Sequence, residues 1–201
     1  MKTRLWLAAF IYCFYTSWPA QVLAVADPSR MVSIISFHGI ARGCPIDEHH
    51  LLTSRHVGVL EKPQGPIGIA AMWSDGFRSG RAWTIDFDLG RDLALMQTEM
   101  PLTQPYAIAQ TAPKVGESLT IAGYRFADRL QMRTITTKLL SIVAVHLVLD
   151  NPAESGFSGS CVLNSQNEVV GVFQWSLGTN RGVASAVYPP FDQVNWVPPQ
   201  S

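Results

Sequence analysis

The feature that most constrains the fold of this chain is its punctuation. Past residue 26, short runs of β-branched, aromatic and aliphatic residues alternate with clusters of Gly, Pro, Asn and Asp. The runs include Met31–Phe37, Ile67–Trp73, Arg81–Ile85, Leu93–Gln97, Ser118–Tyr124, Gln131–Thr137, Leu140–Leu149, Val169–Trp175 and Val183–Tyr188. Between them stand turn signals such as Pro63-Gln64-Gly65-Pro66, Ser74-Asp75-Gly76, Asp128, Asn164 to Asn167 and Gly178 to Gly182. No long 3.6-residue periodicity is present in this region, so helices are not expected to build the core. Regular short strands separated by such turns predict an all-β fold, either a sandwich or barrels. Thr111-Ala112-Pro113 marks a soft boundary that divides residues 27–112 from 113–201. The last residues, Val197 to Ser201, are proline-rich and lack helical character. Apolar residues form 47% of the chain and charged residues 15%, a balance that suits a packed core and argues against disorder. The formal net charge of +0 implies no electrostatic attraction to nucleic acid or to an anionic membrane.

The N-terminus reads as an export signal. Lys2 and Arg4 precede the apolar run Leu5–Tyr15, and Ala24-Val25-Ala26 offers small residues where a signal peptidase reads them. The run falls short of the roughly 20 residues a membrane span needs. A signal over residues 1–26 implies a secreted or periplasmic chain beginning near Asp27, with no stable membrane association after processing. Cys13 leaves with that segment, and Cys44 and Cys161 remain. In an oxidising compartment a disulfide and two buried free thiols both fit this pair.

Three segments carry residues able to do chemistry. Gly156-Phe157-Ser158-Gly159-Ser160 sets a serine between glycines, which permits a tight backbone with an exposed hydroxyl and a free N–H. Leu51-Leu52-Thr53-Ser54-Arg55-His56-Val57 is an apolar strand end that delivers a histidine. Arg91-Asp92-Leu93-Ala94-Leu95 is an aspartate followed at once by an apolar strand. Each segment alone is ordinary: a turn, a partly buried histidine, a capping residue. Together they supply nucleophile, base and orienting carboxylate in one chain order. An α/β-hydrolase order would need a histidine after the serine, and the last histidine is His146. A subtilisin order through Asp47 and His56 would need an α/β pattern that is not present.

These segments resemble those of the chymotrypsin-like serine proteases, especially short bacterial trypsin-like and high-temperature-requirement types. The His56 segment resembles their Leu-Thr-x-x-His-Val, and the Asp92 segment resembles their Asp-Leu-Ala-Leu. The stretch from Lys114 to Tyr124 is similar to the entry to their second barrel. Asp150 to Ser160 is similar to their Asp-x6-Gly-Asn-Ser-Gly stretch. The resemblance spans about residues 31 to 190. It implies two antiparallel six-stranded barrels with the site in the cleft between them, His56 and Asp92 on the first and Ser158 on the second. It further implies peptide hydrolysis through His56, Asp92 and Ser158, with the N–H groups of Gly156 and Ser158 as the oxyanion hole. Gln174, Trp175 and Ser176 would then pair with an extended peptide substrate. Small Ser176 and Gly182 would leave the pocket open, its base near Asn151 and Pro152 and its preference for small or medium apolar residues. No metal or cofactor is implied. His49-His50 fits no standard zinc spacing and reads as a polar turn. Cys161 is read as packing or as bonded to Cys44.

Three positions depart from the family pattern. Phe157 stands where trypsin-type zymogens carry an aspartate, so activation by an ion pair at a freed amine near Arg30-Met31-Val32 is not expected. Phe173 replaces the histidine of glutamyl endopeptidases. Gln174 replaces a serine that commonly supports the catalytic aspartate, a task left to Thr53. The same departures fit a second reading, an inactive relative that binds peptides without cutting them. An acyl hydrolase acting on small esters is a third.

Overall fold

A computed structural model describes residues 30–36, 39–58, 66–73, 76–125, 131–151, 153 and 155–187. The expected signal segment over residues 1–26, Pro152 and the proline-rich tail lie outside the described residues, as do parts of the turns at Pro63–Gly65, Ser74-Asp75 and Asp128.

The chain forms two closed antiparallel barrels of six strands. The first contains β1 (Val32–Ser36), β2 (Gly39–Pro45), β3 (His50–Ser54), β4 (Ile67–Trp73), β5 (Gly76–Asp88) and β6 (Leu93–Thr98). They close in the order β1-β2-β3-β6-β5-β4. A single helical turn, α1 (Arg55–Gly58), follows β3. The second barrel contains β7 (Ser118–Arg125), β8 (Gln131–Val143), β9 (His146–Leu149), β10 (Cys161–Leu163), β11 (Val169–Leu177) and β12 (Arg181–Ala186). Its order is β10-β11-β12-β9-β8-β7. Thr111 to Pro113 fall in the connection between β6 and β7. That connection docks on the second barrel where Ile108 bridges Val169 in parallel.

Alternation along the strands fills the interiors. Val32, Ile34, Leu51, Ile69 and Met96 pack inside the first barrel. Leu119, Ile121, Leu147, Val162 and Phe173 pack inside the second. A third cluster joins the two, with Cys44, Leu52 and Leu93 from the first barrel against Ala122, Cys161 and Val172 from the second. Each fully buried Leu, Val or Ile side chain contributes about 1.5–3 kcal/mol. The barrels thus share a packed seam rather than only touching across a cleft.

The strands differ from the sequence expectation in three places. Gln131–Thr137 merges with the residues after it into one strand, Gln131–Val143, whose pairing with β9 shifts register at a bulge between Leu139 and Ser141. The run Leu140–Leu149 is then broken by a hairpin at Ala144, whose φ of 53° is one an alanine seldom adopts. No Gly, Asn or Pro announces that turn. Strands β2 and β10 are absent from the expected runs because one is interrupted by Gly43 and Pro45 and the other is three residues long.

Candidate active site

The cleft between the barrels is built from turns that the opposite barrel helps to hold. His56 sits in α1, directly after β3. Gly58 fixes how closely that turn approaches the sheet. A Cβ at Gly58 would lie 2.9 Å from the Ala94 Cβ, and the Thr84 hydroxyl donates to the Gly58 carbonyl at 2.6 Å. The His56 side chain is 46% exposed, which leaves the imidazole open to the cleft.

Asp92 meets His56 twice. Its Oδ2 lies 2.8 Å from His56 Nδ1, and its Oδ1 accepts the His56 backbone N–H at 3.1 Å. Arg55 Nε stands 3.8 Å from the same Oδ1. The aspartate is held in an unusual backbone conformation, with φ of 52°. For a residue with a Cβ this costs of order 1 kcal/mol, and the surroundings must enforce it. The Asp88 carboxylate accepts the N–H groups of Gly90 (2.7 Å) and Arg91 (3.0 Å), which shapes the turn leading to Asp92.

Ser158 lies across the cleft on the loop before β10. The Arg42 N–H donates to the Ser158 carbonyl at 2.8 Å, and the Gly159 N–H donates to the Phe173 carbonyl at 2.8 Å. Gly159 has φ of 84°, and a Cβ there would run into the Arg42 carbonyl and the Thr53 hydroxyl. Only glycine lets the serine loop press so closely on the first barrel. Ser54 adds a hydroxyl to the Phe173 carbonyl at 3.1 Å. Cys44 Sγ and Cys161 Sγ are bonded at 2.07 Å, so β2 and β10 are linked covalently three residues past Ser158. Of the two readings left open for these cysteines, the structure has the disulfide.

The Ser158 hydroxyl donates to the Gln174 carbonyl at 2.9 Å. His56 and Ser158 line one cleft of about 620 Å³ together with Ala153, Phe173, Trp175 and Ser176. The structure therefore bonds His56 to Asp92 and brings Ser158 into the same groove, with its proton directed at the strand. Among the described residues, neither the Gly156 nor the Ser158 N–H has a hydrogen-bond partner, and Gly156 adopts φ of 96°.

The departures noted in the sequence now have places. Phe157 is 1% exposed and packs in the second barrel, where a Cβ at Gly123 would lie 2.6 Å from its ring. It fills space beneath the loop. Thr53 does not support Asp92; its hydroxyl donates to the Arg42 carbonyl at 2.7 Å and so props the strand on which the serine loop rests. Gln174 occupies a bulge between Phe173 and Trp175, with its side chain fully buried and no partner for its amide among the described residues.

Gly182 does not border open space. A Cβ there would lie 2.8 Å from the Phe173 ring and 2.9 Å from the Asn151 carbonyl. The absence of a side chain at Gly182 is used by Phe173. Ser176 ties β11 to the facing loop by donating to the Ala153 carbonyl at 2.7 Å. Trp175 is 40% exposed, with its ring 6.2 Å from that of His146. Below the loop, Asp150 accepts the Lys138 N–H (2.7 Å) and the Thr137 hydroxyl (2.9 Å). These bonds, the Lys138 one foremost, hold its carboxyl below the ordinary carboxylate range.

His50 stands apart from the cleft. Its Nδ1 lies 2.9 Å from Asp47, whose Oδ1 also accepts the N–H groups of His49 and His50, closing the turn between β2 and β3. Among the described residues, no group of three or more His, Cys, Asp or Glu side chains could hold a metal ion.

His56, Asp92 and Ser158 carry local sequence signals, but the residues that hold them do not. Arg42, Ser54, Arg91 and Ser185 have no local signature, because each acts on a segment far away in the chain.

Comparison with known proteins agrees with this architecture. The family model of the trypsin-like peptidase domain matches residues 41–172. The protease domain of MamO from Magnetospirillum magneticum, in its apo form, superposes with a TM-score of 0.67 at 17% identity, covering 81% of this chain and 94% of that one. An inactive form of Rv3671c from M. tuberculosis H37Rv gives 0.66 at 16% identity, over 83% of this chain and 85% of that one. A serine endoprotease from Yersinia pestis gives 0.66 at 19% identity, over 82% of this chain and 61% of that one. At these identities the structural likeness speaks for the fold alone.

Proposed function

Since this chain belongs to the trypsin-like peptidase family, we propose that it is a serine endopeptidase that cuts polypeptides through an acyl-enzyme, with Ser158 as nucleophile, His56 as general base and Asp92 as the carboxylate that orients the base. The observation that carries this reading is the 2.8 Å contact of His56 Nδ1 with Asp92, made at the edge of a cleft that also exposes Ser158. With Nδ1–H donated to the carboxylate, the His56 Nε2 lone pair is left to accept a proton. The Ser158 hydroxyl leaves the Gln174 carbonyl by rotation about χ1 and gives its proton to Nε2 as Oγ bonds to the substrate carbonyl carbon. The resulting oxyanion is received by the N–H groups of Gly156 and Ser158, where one lost donor typically costs about 3 kcal/mol. Collapse breaks the C–N bond, His56 protonates the departing amine, and water repeats the sequence on the ester.

Recognition rests on main chain and on size. Gln174, Trp175 and Ser176 offer a strand edge to an extended peptide. With the Phe173 ring filling the space over Gly182, the residue before the scissile bond is small and apolar, and among the described residues no acidic side chain lines the cleft to attract Arg or Lys. No cofactor takes part. Lys2, Arg4 and the apolar run after them, together with the Cys44–Cys161 bond, support export to an oxidising compartment, either periplasmic or extracellular.

A fluorophosphonate probe tests the reading. The oxidised, folded protein labels at Ser158, Ser158→Ala does not label, and His56→Ala labels about 10³-fold or more slowly. A folded wild type that stays unlabelled while still binding peptides supports the second reading, an inactive binding module. That reading draws on the engagement of the Ser158 hydroxyl by Gln174. Hydrolysis of small esters without hydrolysis of casein would instead point to an acyl hydrolase. A peptide library dominated by basic residues before the cut would overturn the specificity.

A further inference from the structure

The Asp92 turn belongs to the first barrel, yet the second barrel holds it. On β12, the Ser185 hydroxyl donates to the Arg91 carbonyl, the peptide group that leads into Asp92. From the turn, the Arg91 guanidinium reaches back across the seam and donates to the Ala186 carbonyl at 3.1 Å. Asp88 braces the same guanidinium, with Oδ2 3.5 Å from Arg91 Nε. On the other side of Asp92, the Arg55 N–H donates to the Asp92 carbonyl at 2.8 Å. The carbonyls before and after Asp92 are therefore anchored to opposite barrels, and φ of 52° lies between the two anchors.

Neither Thr53 nor Gln174 steadies this carboxylate. Thr53 is engaged with the Arg42 carbonyl, and the Gln174 amide makes no hydrogen bond to Asp92. Beyond the two contacts from His56 and the more distant Arg55, the direction of the carboxylate depends on its own backbone. Ser185 is fully buried, so its hydroxyl is not there to meet solvent.

We propose that Ser185 and Arg91 are positioning residues: a two-way clamp between the barrels that fixes the backbone of Asp92 and thereby aims its carboxylate at His56. The proposal rests on the peptidase reading above. Loosening the clamp lets the turn relax toward an ordinary φ, which swings Oδ2 away from Nδ1 and leaves the imidazole without its tautomer lock. Substrate binding, which uses β11, is unaffected.

The test uses the full, oxidised chain and the variants Ser185→Ala and Arg91→Met. Active sites are first titrated with fluorophosphonate. Per titrated site, kcat is expected to fall about tenfold in each variant while KM stays within twofold. The downfield proton resonance of the His56–Asp92 hydrogen bond is expected to broaden or vanish. Arg91 is 16% exposed, so Arg91→Met carries the test if Ser185→Ala fails to fold. Arg91→Lys, which keeps a cation near Asp88 and Ala186, is expected to restore part of kcat. Variants that label and turn over like wild type, with the resonance intact, overturn the clamp even if their Tm is lower. A wild type that does not label at Ser158 overturns the peptidase reading itself, a different result from an active wild type with unaffected variants.

Discussion

The turn that carries Ser158 is held to the opposite barrel by main-chain groups and a covalent bond, whereas the turn that carries Asp92 is held to its opposite barrel by side chains. For Ser158 the ties are the Arg42 N–H on its carbonyl, the close seat of Gly159 on Arg42 and Thr53, and the Cys44–Cys161 bond. For Asp92 they are the Ser185 hydroxyl and the Arg91 guanidinium. Main-chain ties survive most substitutions and fail only where a Cβ intrudes or the covalent link is cut. Side-chain ties fail at the side chain. The serine loop is accordingly the half of the cleft whose seat depends least on side-chain hydrogen bonds, and the aspartate turn is the half that substitution can tune.

The sharpest way to break this contrast is Gly159→Ala. The new methyl has no room against the Arg42 carbonyl, and φ of 84° disfavours any side chain. The loop must shift, with a cost of about 3 kcal/mol or more and a drop in fluorophosphonate labelling of about 100-fold or more. Wild-type labelling rates in this variant would show that the main-chain seat is not what positions Ser158. Cutting the covalent tie comes next. The bond closes a separation of 117 residues, so loss of Cys44 or Cys161, or reduction, is expected to lower stability by about 3 kcal/mol. Urea denaturation with and without reductant reads this directly. An unchanged midpoint would mean that the hydrogen bonds of the seam suffice alone.

The smallest expected effect comes from a tie within a single barrel. Asp150 braces the middle of β8 through the Lys138 N–H and the Thr137 hydroxyl, and its carboxyl is held below the ordinary carboxylate value of 3.8. A depressed folded-state value means that its stabilisation is fully present above pH 3.8 and fades as pH falls through the lower value. The side chain is exposed, so screening limits the effect to about 0.5 kcal/mol. Asp150→Asn is expected to remove that increment at pH 7 and to flatten the stability profile below pH 4. Equal acid sensitivity in wild type and variant would assign the dependence to other groups.

Much of the fold is legible because barrel strands leave local traces. Alternation and flanking turn residues give Ile67–Trp73 its observed bounds, and give Leu93–Gln97 and Ser118–Tyr124 to within one residue. The turn after Leu163 is legible for the same reason. Asn164 Oδ1 accepts the N–H groups of Gln166 and Glu168, a short-range bond that asparagine supplies by itself. The hairpin at Ala144 is not legible, because tertiary pairing of β8 with β9 imposes a conformation that its residue does not favour. The expected task of Thr53 and the expected open space at Gly182 are displaced by contacts with Arg42 and Phe173, which no local pattern encodes.

By itself the sequence determined most of the strand periodicity, the turns rich in Gly, Pro, Asn and Asp, and the candidacy of the serine, histidine and aspartate, since each is expressed within a few neighbouring residues. Only the tertiary structure decided how those residues are held. Ser54 reaches Phe173 across 119 positions and Ser185 reaches Arg91 across 94. Closing such distances depends on burying the shared seam of Cys44, Leu52, Leu93, Cys161 and Val172, a free energy that belongs to the assembled barrels and to no segment alone.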